Sequence, residues 1–137
     1  MKRMGLAVVC LLLFVSTMSF AQSVAVKVNV PFAFVIGNTV VPAGEYKIMQ
    51  ANTYSNALAI QGEGFGMLVL PVPTNQDLNQ TSQSKLLFNQ YGNRYFLSEI
   101  LSTATGRVYR LYPSTLEVKL ASLPRSSSHV AAIKARQ

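Results

Sequence analysis

The chain has 137 residues, half of them apolar, with twelve Lys and Arg against five Asp and Glu, one cysteine and one histidine. Its net charge of +7 is spread along the chain rather than gathered into a basic stripe or a recognisable reader module, which excludes nucleic acid as the expected partner. One cysteine excludes a disulfide framework and cysteine metal sites, and so few ionisable groups leave little from which to build acid-base chemistry.

At the start, Lys2 and Arg3 precede an uncharged apolar run over residues 4–20 that closes on Ser19-Phe20-Ala21. This is the pattern of a secretory leader, so residues 1–21 are expected to be removed after Ala21 and the product exported to the periplasm, cell surface or medium. The run is short for a membrane span, and no span is expected once it is gone. Cys10 lies inside the leader, so the mature chain has no thiol. Removal of Lys2 and Arg3 leaves 116 residues with ten basic and five acidic side chains, a net charge of +5. That size supports a single domain with a modest core, and the surplus charge gives it some attraction for anionic envelope polymers.

Residues 24–36 carry the clearest periodicity: Val24, Val26, Val28, Val30, Phe32, Phe34 and Ile36 alternate with small or polar residues. A period of two over this length predicts a strand with one buried face. Gly37-Asn38 is a two-residue hairpin turn that should return residues 39–41 against 34–36, and Pro42-Ala43-Gly44 is a second turn. Residues 45–50 alternate again, with Tyr46 and Ile48 on one side. Residues 57–61 form a short strand, and Gly62, Gly64 and Gly66 surround Phe65 in a loop before a strand over 67–70. The G-x-G-x-G spacing is discounted as a phosphate cradle because no helix opens behind it.

Residues 71–84 read as a long polar loop. Asp77, Asn79 and Thr81 alternate in it like calcium ligands, but Ser82 and Phe88 stand where the motif needs glycine and glutamate. Residues 85–101 then repeat the hairpin chemistry around Gly92-Asn93, which places Phe88 opposite Leu97 and Gln90 opposite Tyr95. Another turn at 103–106 leads to a strand over 107–112. About eight short strands with regular turn signals predict an all-β domain, an antiparallel barrel or sandwich, over residues 22–124. Ser114 and Glu117 have capping-box spacing, which favours a short helix over 114–123 to a final strand. Residues 125–137 are expected to form a flexible basic tail.

Three stretches carry a resemblance: Val30-Pro31-Phe32-Ala33-Phe34, Pro42-Ala43-Gly44-Glu45-Tyr46, and the run from Tyr91 through Asn93, Arg94, Phe96 and Ser98 to Glu99. With Gly106, Arg107, Pro113, Ser114 and Glu117 they resemble a family of small exported proteins of environmental Gram-negative bacteria, built on VPFxF, PAGxY and RYGxxYFLSE-like motifs. The resemblance spans most of the mature chain and implies an exported β domain without an established activity. Asn89 stands close to where that family often carries a histidine ahead of the RYG-like motif, which weakens any metal or acid-base role for the hairpin.

Among the acids, Glu99 has apolar neighbours and is expected to be partly buried, so a structural ion pair of Glu99 with Arg107 is the candidate site, with Arg94 and Arg110 as other partners. His129 lies beside Ser126, Ser127 and Ser128 in the tail, where nothing holds a Ser-His pair in place. Phe32, Phe34, Phe88, Tyr95 and Phe96 read as core, or as pocket walls if the sheet encloses a cavity. The expected function is therefore a non-enzymatic, exported binding or structural module without cofactor, metal or catalytic residues, whose partner is a protein or an anionic envelope polymer. A small barrel carrying an apolar ligand is the alternative, and a hydrolase a more remote one.

Overall fold

The structure, a computed structural model, describes residues 24–52, 55–72, 74, 83–124 and 128–136. The leader and the loop residues Asp77, Asn79 and Thr81 lie outside that set. Ten strands and one helix are present in the described residues: β1 (Val24–Val30), β2 (Phe34–Ile36), β3 (Thr39–Val41), β4 (Gly44–Gln50), β5 (Leu58–Gly62), β6 (Phe65–Val69), β7 (Lys85–Tyr91), β8 (Arg94–Ser102), β9 (Arg107–Arg110), α1 (Thr115–Ala121) and β10 (Ser128–Lys134). The fold is all-β. Strands β1-β4-β5-β6 form one antiparallel sheet and β10-β7-β8-β2-β3 a second, with β9 also paired to β8. The two sheets pack as a sandwich and do not close into a barrel.

The long alternating stretch at the start is one strand in pattern and two in space. Pro31 has no N–H to give to a ladder, so pairing stops there and the chain crosses from the first sheet to the second. The alternation survives the crossing: Val26, Val28, Val30, Phe34 and Ile36 are all buried, because the inner faces of both sheets look into the same core. The turns at Gly37-Asn38 and Gly92-Asn93 fall where their residues demand. Each glycine has φ of +59°, as a type II′ turn requires of its first central residue. The second hairpin has the expected register, with Phe88 against Leu97 and Gln90 against Tyr95, and a bulge between Leu87 and Phe88.

A row of rings fills the space between the sheets. Tyr95 stacks on Phe32 at 3.8 Å, and Phe32 meets Phe88 edge-on at 5.1 Å. Phe88 meets Phe34 at 5.3 Å, Phe34 meets Tyr46 at 5.7 Å, and Tyr46 meets Phe65 at 5.9 Å, all edge-to-face. Edge-to-face pairs add about 0.5–1.5 kcal/mol each beyond the area they bury. Phe96 belongs to a different layer. It is buried on the outer face of the second sheet against Tyr91, beside Asn89, its partner in the β7–β8 register.

Two expectations about the C-terminal part meet different fates. The helix forms: Ser114 caps it, accepting a 3.0 Å hydrogen bond from the Glu117 backbone N–H. The flexible tail is corrected. Residues 128–134 form β10, paired with the whole length of β7 from Ser128 opposite Tyr91 to Lys134 opposite Lys85. Ala131 and Ile133 lie against the core, and the chain then ties two further segments together, Ala135 N–H donating to the Ser84 carbonyl and Arg136 N–H to the Lys27 carbonyl, both at 2.8 Å. The cause is the edge of β7 away from β8, whose outward backbone groups need a partner that local sequence does not specify. Among the described residues no helix is long and apolar enough to cross a membrane.

Candidate functional site

On the first sheet, Val26, Val28, Tyr46, Ile48 and Ile60 point inward, so Lys27, Lys47 and Gln61 stand on the outer face. Strand register then sets them in one transverse row: Lys27 opposite Lys47, Lys47 opposite Gln61, and Gln61 opposite Gly66. The next row holds Asn29 and Glu45 as a direct pair. The turn at 42–44 and the β5–β6 turn wall the end of these rows, making an open groove of about 520 Å³ lined by Lys27, Glu45, Lys47, Gln61 and Glu63 among others. Arg136 reaches the same corner from the end of β10 and binds the Glu45 carboxylate at 2.7 Å.

Tyr46 forms the base of this corner. Its ring is buried, its hydroxyl donates to the Pro42 carbonyl, and burial pushes its phenol above the ordinary value of 10.0. The ring lies across Gly62, its partner on β5. A Cβ at Gly62 would stand 2.5 Å from Tyr46 Cε1 and 2.8 Å from Cδ1, so only glycine lets the ring pack there. That explains the first glycine of G-x-G-x-G. Gly64 has φ of +66° in the turn, and a strand follows it where a phosphate cradle would need a helix.

The ion pair expected of Glu99 exists with a different arginine. Arg110, directly opposite Glu99 across β8 and β9, binds its Oε1 through both Nε and Nη2 at 3.0 Å. Arg107 stands opposite Ser102, at the other end of the β8–β9 pairing from Glu99. Expected partial burial holds for Glu99, whose side chain is 23% exposed, but that of Arg110 is 52% exposed, so the pair is a surface one.

The buried carboxylate belongs instead to Glu117. It is 6% exposed and accepts a 2.8 Å hydrogen bond from Asn89 Nδ2, which docks α1 on the outer face of β7. Sequence reasoning saw Glu117 only as a cap residue. The available signal was Asn89 itself, a polar residue between Leu87 and Tyr91 on the non-core face of β7. His129 sits exposed on β10 opposite Gln90, in a strand rather than a tail. Among the described residues, no cluster of three or more His, Cys, Asp or Glu has the arrangement of a metal site. No family model, curated protein or solved structure matches the chain.

Proposed function

We propose that the chain is an exported, non-enzymatic binding module of the periplasm or cell surface that takes an anionic envelope polymer on the outer groove of its first sheet. The observation that carries this reading is the direct pairing of Lys27 with Lys47 on the groove floor. Like charges held opposite each other on a sheet face destabilise it, by an amount comparable to the roughly 0.2–1 kcal/mol that favourable pairs contribute. A polyanion lying across the row relieves that repulsion, and Arg136 neutralises Glu45, which with Glu63 is one of the two carboxylates that line the groove. The groove is open to solvent and carries the charged side chains of Lys27 and Lys47 on its floor, which suits a charged chain lying across it better than a compact apolar ligand. The stacked rings between the sheets likewise favour binding on the outside over carriage of a ligand within.

The test is calorimetric titration of the exported chain with dextran sulfate as a polyanion probe, at low and at physiological salt. Binding should weaken as salt screens the charges. Replacing both lysines, Lys27→Gln with Lys47→Gln, should weaken it at least tenfold while leaving the melting temperature equal or higher. Undiminished binding by the double variant, or no binding by the wild type at low salt, overturns the reading. Retention of a protein in place of the polymer would move the partner to the other class expected from the sequence.

A further inference from the structure

Strand β6 and the residue after it read Phe65-Gly66-Met67-Leu68-Val69-Leu70, with neither charge nor proline. Among the described residues its strand neighbour is β5 alone, so one edge of β6 is free. Sheets ordinarily protect such edges with charge, proline, a bulge or shortness. The edges of the second sheet conform: β3 has three residues, and β10 carries His129 and Lys134. Among the described residues β6 has none of these devices. Its outward side chain Leu68 is 69% exposed, and Leu70 beyond it 72%.

We infer that β6 is a self-association edge, pairing antiparallel with β6 of a second copy of this chain about a two-fold axis through Met67. The backbone satisfies this register. The two-residue turn Glu63-Gly64 makes Gly62 and Phe65 a hydrogen-bonded pair, so Phe65, Met67 and Val69 turn their backbone groups toward β5. Gly66 and Leu68 therefore turn theirs to the free edge. With Met67 on the axis, Gly66 of one copy faces Leu68 of the other, twice, and each pairing exchanges both hydrogen bonds.

The side chains satisfy it as well. A Cβ on Gly66 would meet nothing within 4 Å, which leaves space over that residue for the exposed Leu68 of the second copy. On the inner face, Phe65, Met67 and Val69 pack against the core yet are only half buried, because the sandwich ends at this edge. In the pair, Phe65 of each copy comes opposite Val69 of the other and covers what the monomer leaves open. The uncharged edge meets its own copy without repulsion. The result joins two four-stranded sheets into one of eight strands, with the grooves left free on the outer face. Five paired residues make an interface well below the standard size of about 1,600 Å², so the association is expected to be weak, visible in the micromolar to millimolar range.

Sedimentation velocity of the exported chain between about 10 μM and 1 mM should show a concentration-dependent monomer–dimer equilibrium. Leu68→Lys should raise the dimer dissociation constant at least tenfold with an unchanged circular-dichroism spectrum, since Leu68 is exposed in the monomer. Leu68→Gln is the second variant should the charge disturb folding, and it should weaken the dimer in the same direction. Amide exchange at Gly66 and Leu68 should slow in the dimer and return on dilution. A wild type that stays monomeric to 1 mM, a dimer indifferent to both substitutions, or a dimer whose Gly66 and Leu68 amides exchange freely overturns the assignment.

Discussion

Replacing Gly62 with alanine tests the packing at the corner of the first sheet with a single methyl group. That methyl would lie 2.5 Å and 2.8 Å from two carbons of the Tyr46 ring and 3.2 Å from the Glu45 carbonyl oxygen. Carbon atoms pack at about 3.5–4.0 Å, so the ring or the strand must move by about 1 Å. The ring is held by Phe34 and Phe65 on its edges and by the hydroxyl's hydrogen bond to Pro42. Overpacking costs about 1–3 kcal/mol, and losing the hydrogen bond about 0.5–1.5 kcal/mol more, for a total near 3 kcal/mol. Urea unfolding of Gly62→Ala should therefore show a large loss of midpoint. Gly66→Ala on the same hairpin is the control, because its methyl meets nothing within 4 Å and the stability should stay level or rise. In a double-mutant cycle, Tyr46→Leu should cost at least about 1 kcal/mol less when made on top of Gly62→Ala than in the wild type. Equal stabilities for Gly62→Ala and Gly66→Ala, or strict additivity in the cycle, would refute the reasoning.

Glu99→Ala should cost no more than about 1 kcal/mol in thermal or urea unfolding, with the loss shrinking in high salt, because its pair with Arg110 is half in water. Asn89→Ala leaves the buried Glu117 carboxylate without that donor and should cost about 1–3 kcal/mol, whereas Glu117→Gln keeps the hydrogen-bonding shape and should cost less. Ending the chain at Pro124 bares the edge of β7 and takes away the donors to Ser84 and Lys27, and should cost about 3 kcal/mol or more, read as loss of a cooperative melt. The raised pKa of Tyr46 means that the neutral phenol stabilises the fold fully below pH 10, and that this contribution is lost as pH rises through the folded value. The alkaline limb of a stability–pH curve should accordingly flatten in Tyr46→Phe.

What could be read from the chain was decided by neighbours in sequence. Gly37-Asn38 and Gly92-Asn93 set their hairpins because glycine takes positive φ at the first turn position, and the cross-strand partners then follow by counting. Ser114 and Glu117 set the helix start in the same local way. What could not be read was decided at a distance. β10 and the residue after it offer Ala131, Ile133 and Ala135 to the core, two of them too small to mark a buried face, and the strand conformation comes from the edge of β7, more than forty residues earlier at Phe88–Ala131. Arg110 rather than Arg107 meets Glu99 because strand register puts those two side chains on one face. The Asn89–Glu117 contact joins a strand to a helix 28 residues away, and only the folded sheet brings them together.

The choice between barrel and sandwich shows the same division. Alternation of apolar and polar residues is identical in both, since each has one inward face. The outcome depends on whether the last edges meet. On one side they do in part: Arg136, just past β10, donates its N–H to Lys27 on β1 and brings the two sheets into backbone contact. On the other side β6 runs into Pro71, which cannot continue a ladder as a donor, and the chain leaves for the second sheet, where the Val72 N–H binds the Arg110 carbonyl of β9 at 2.7 Å. That departure gives the edge of β9 a bridge and, among the described residues, leaves the outer edge of β6 without a strand. Pro71 thus ends the pairing of β6 with β5 and turns the chain toward β9, and among the described residues the outer edge of β6 that it leaves behind is the one proposed to take a second copy.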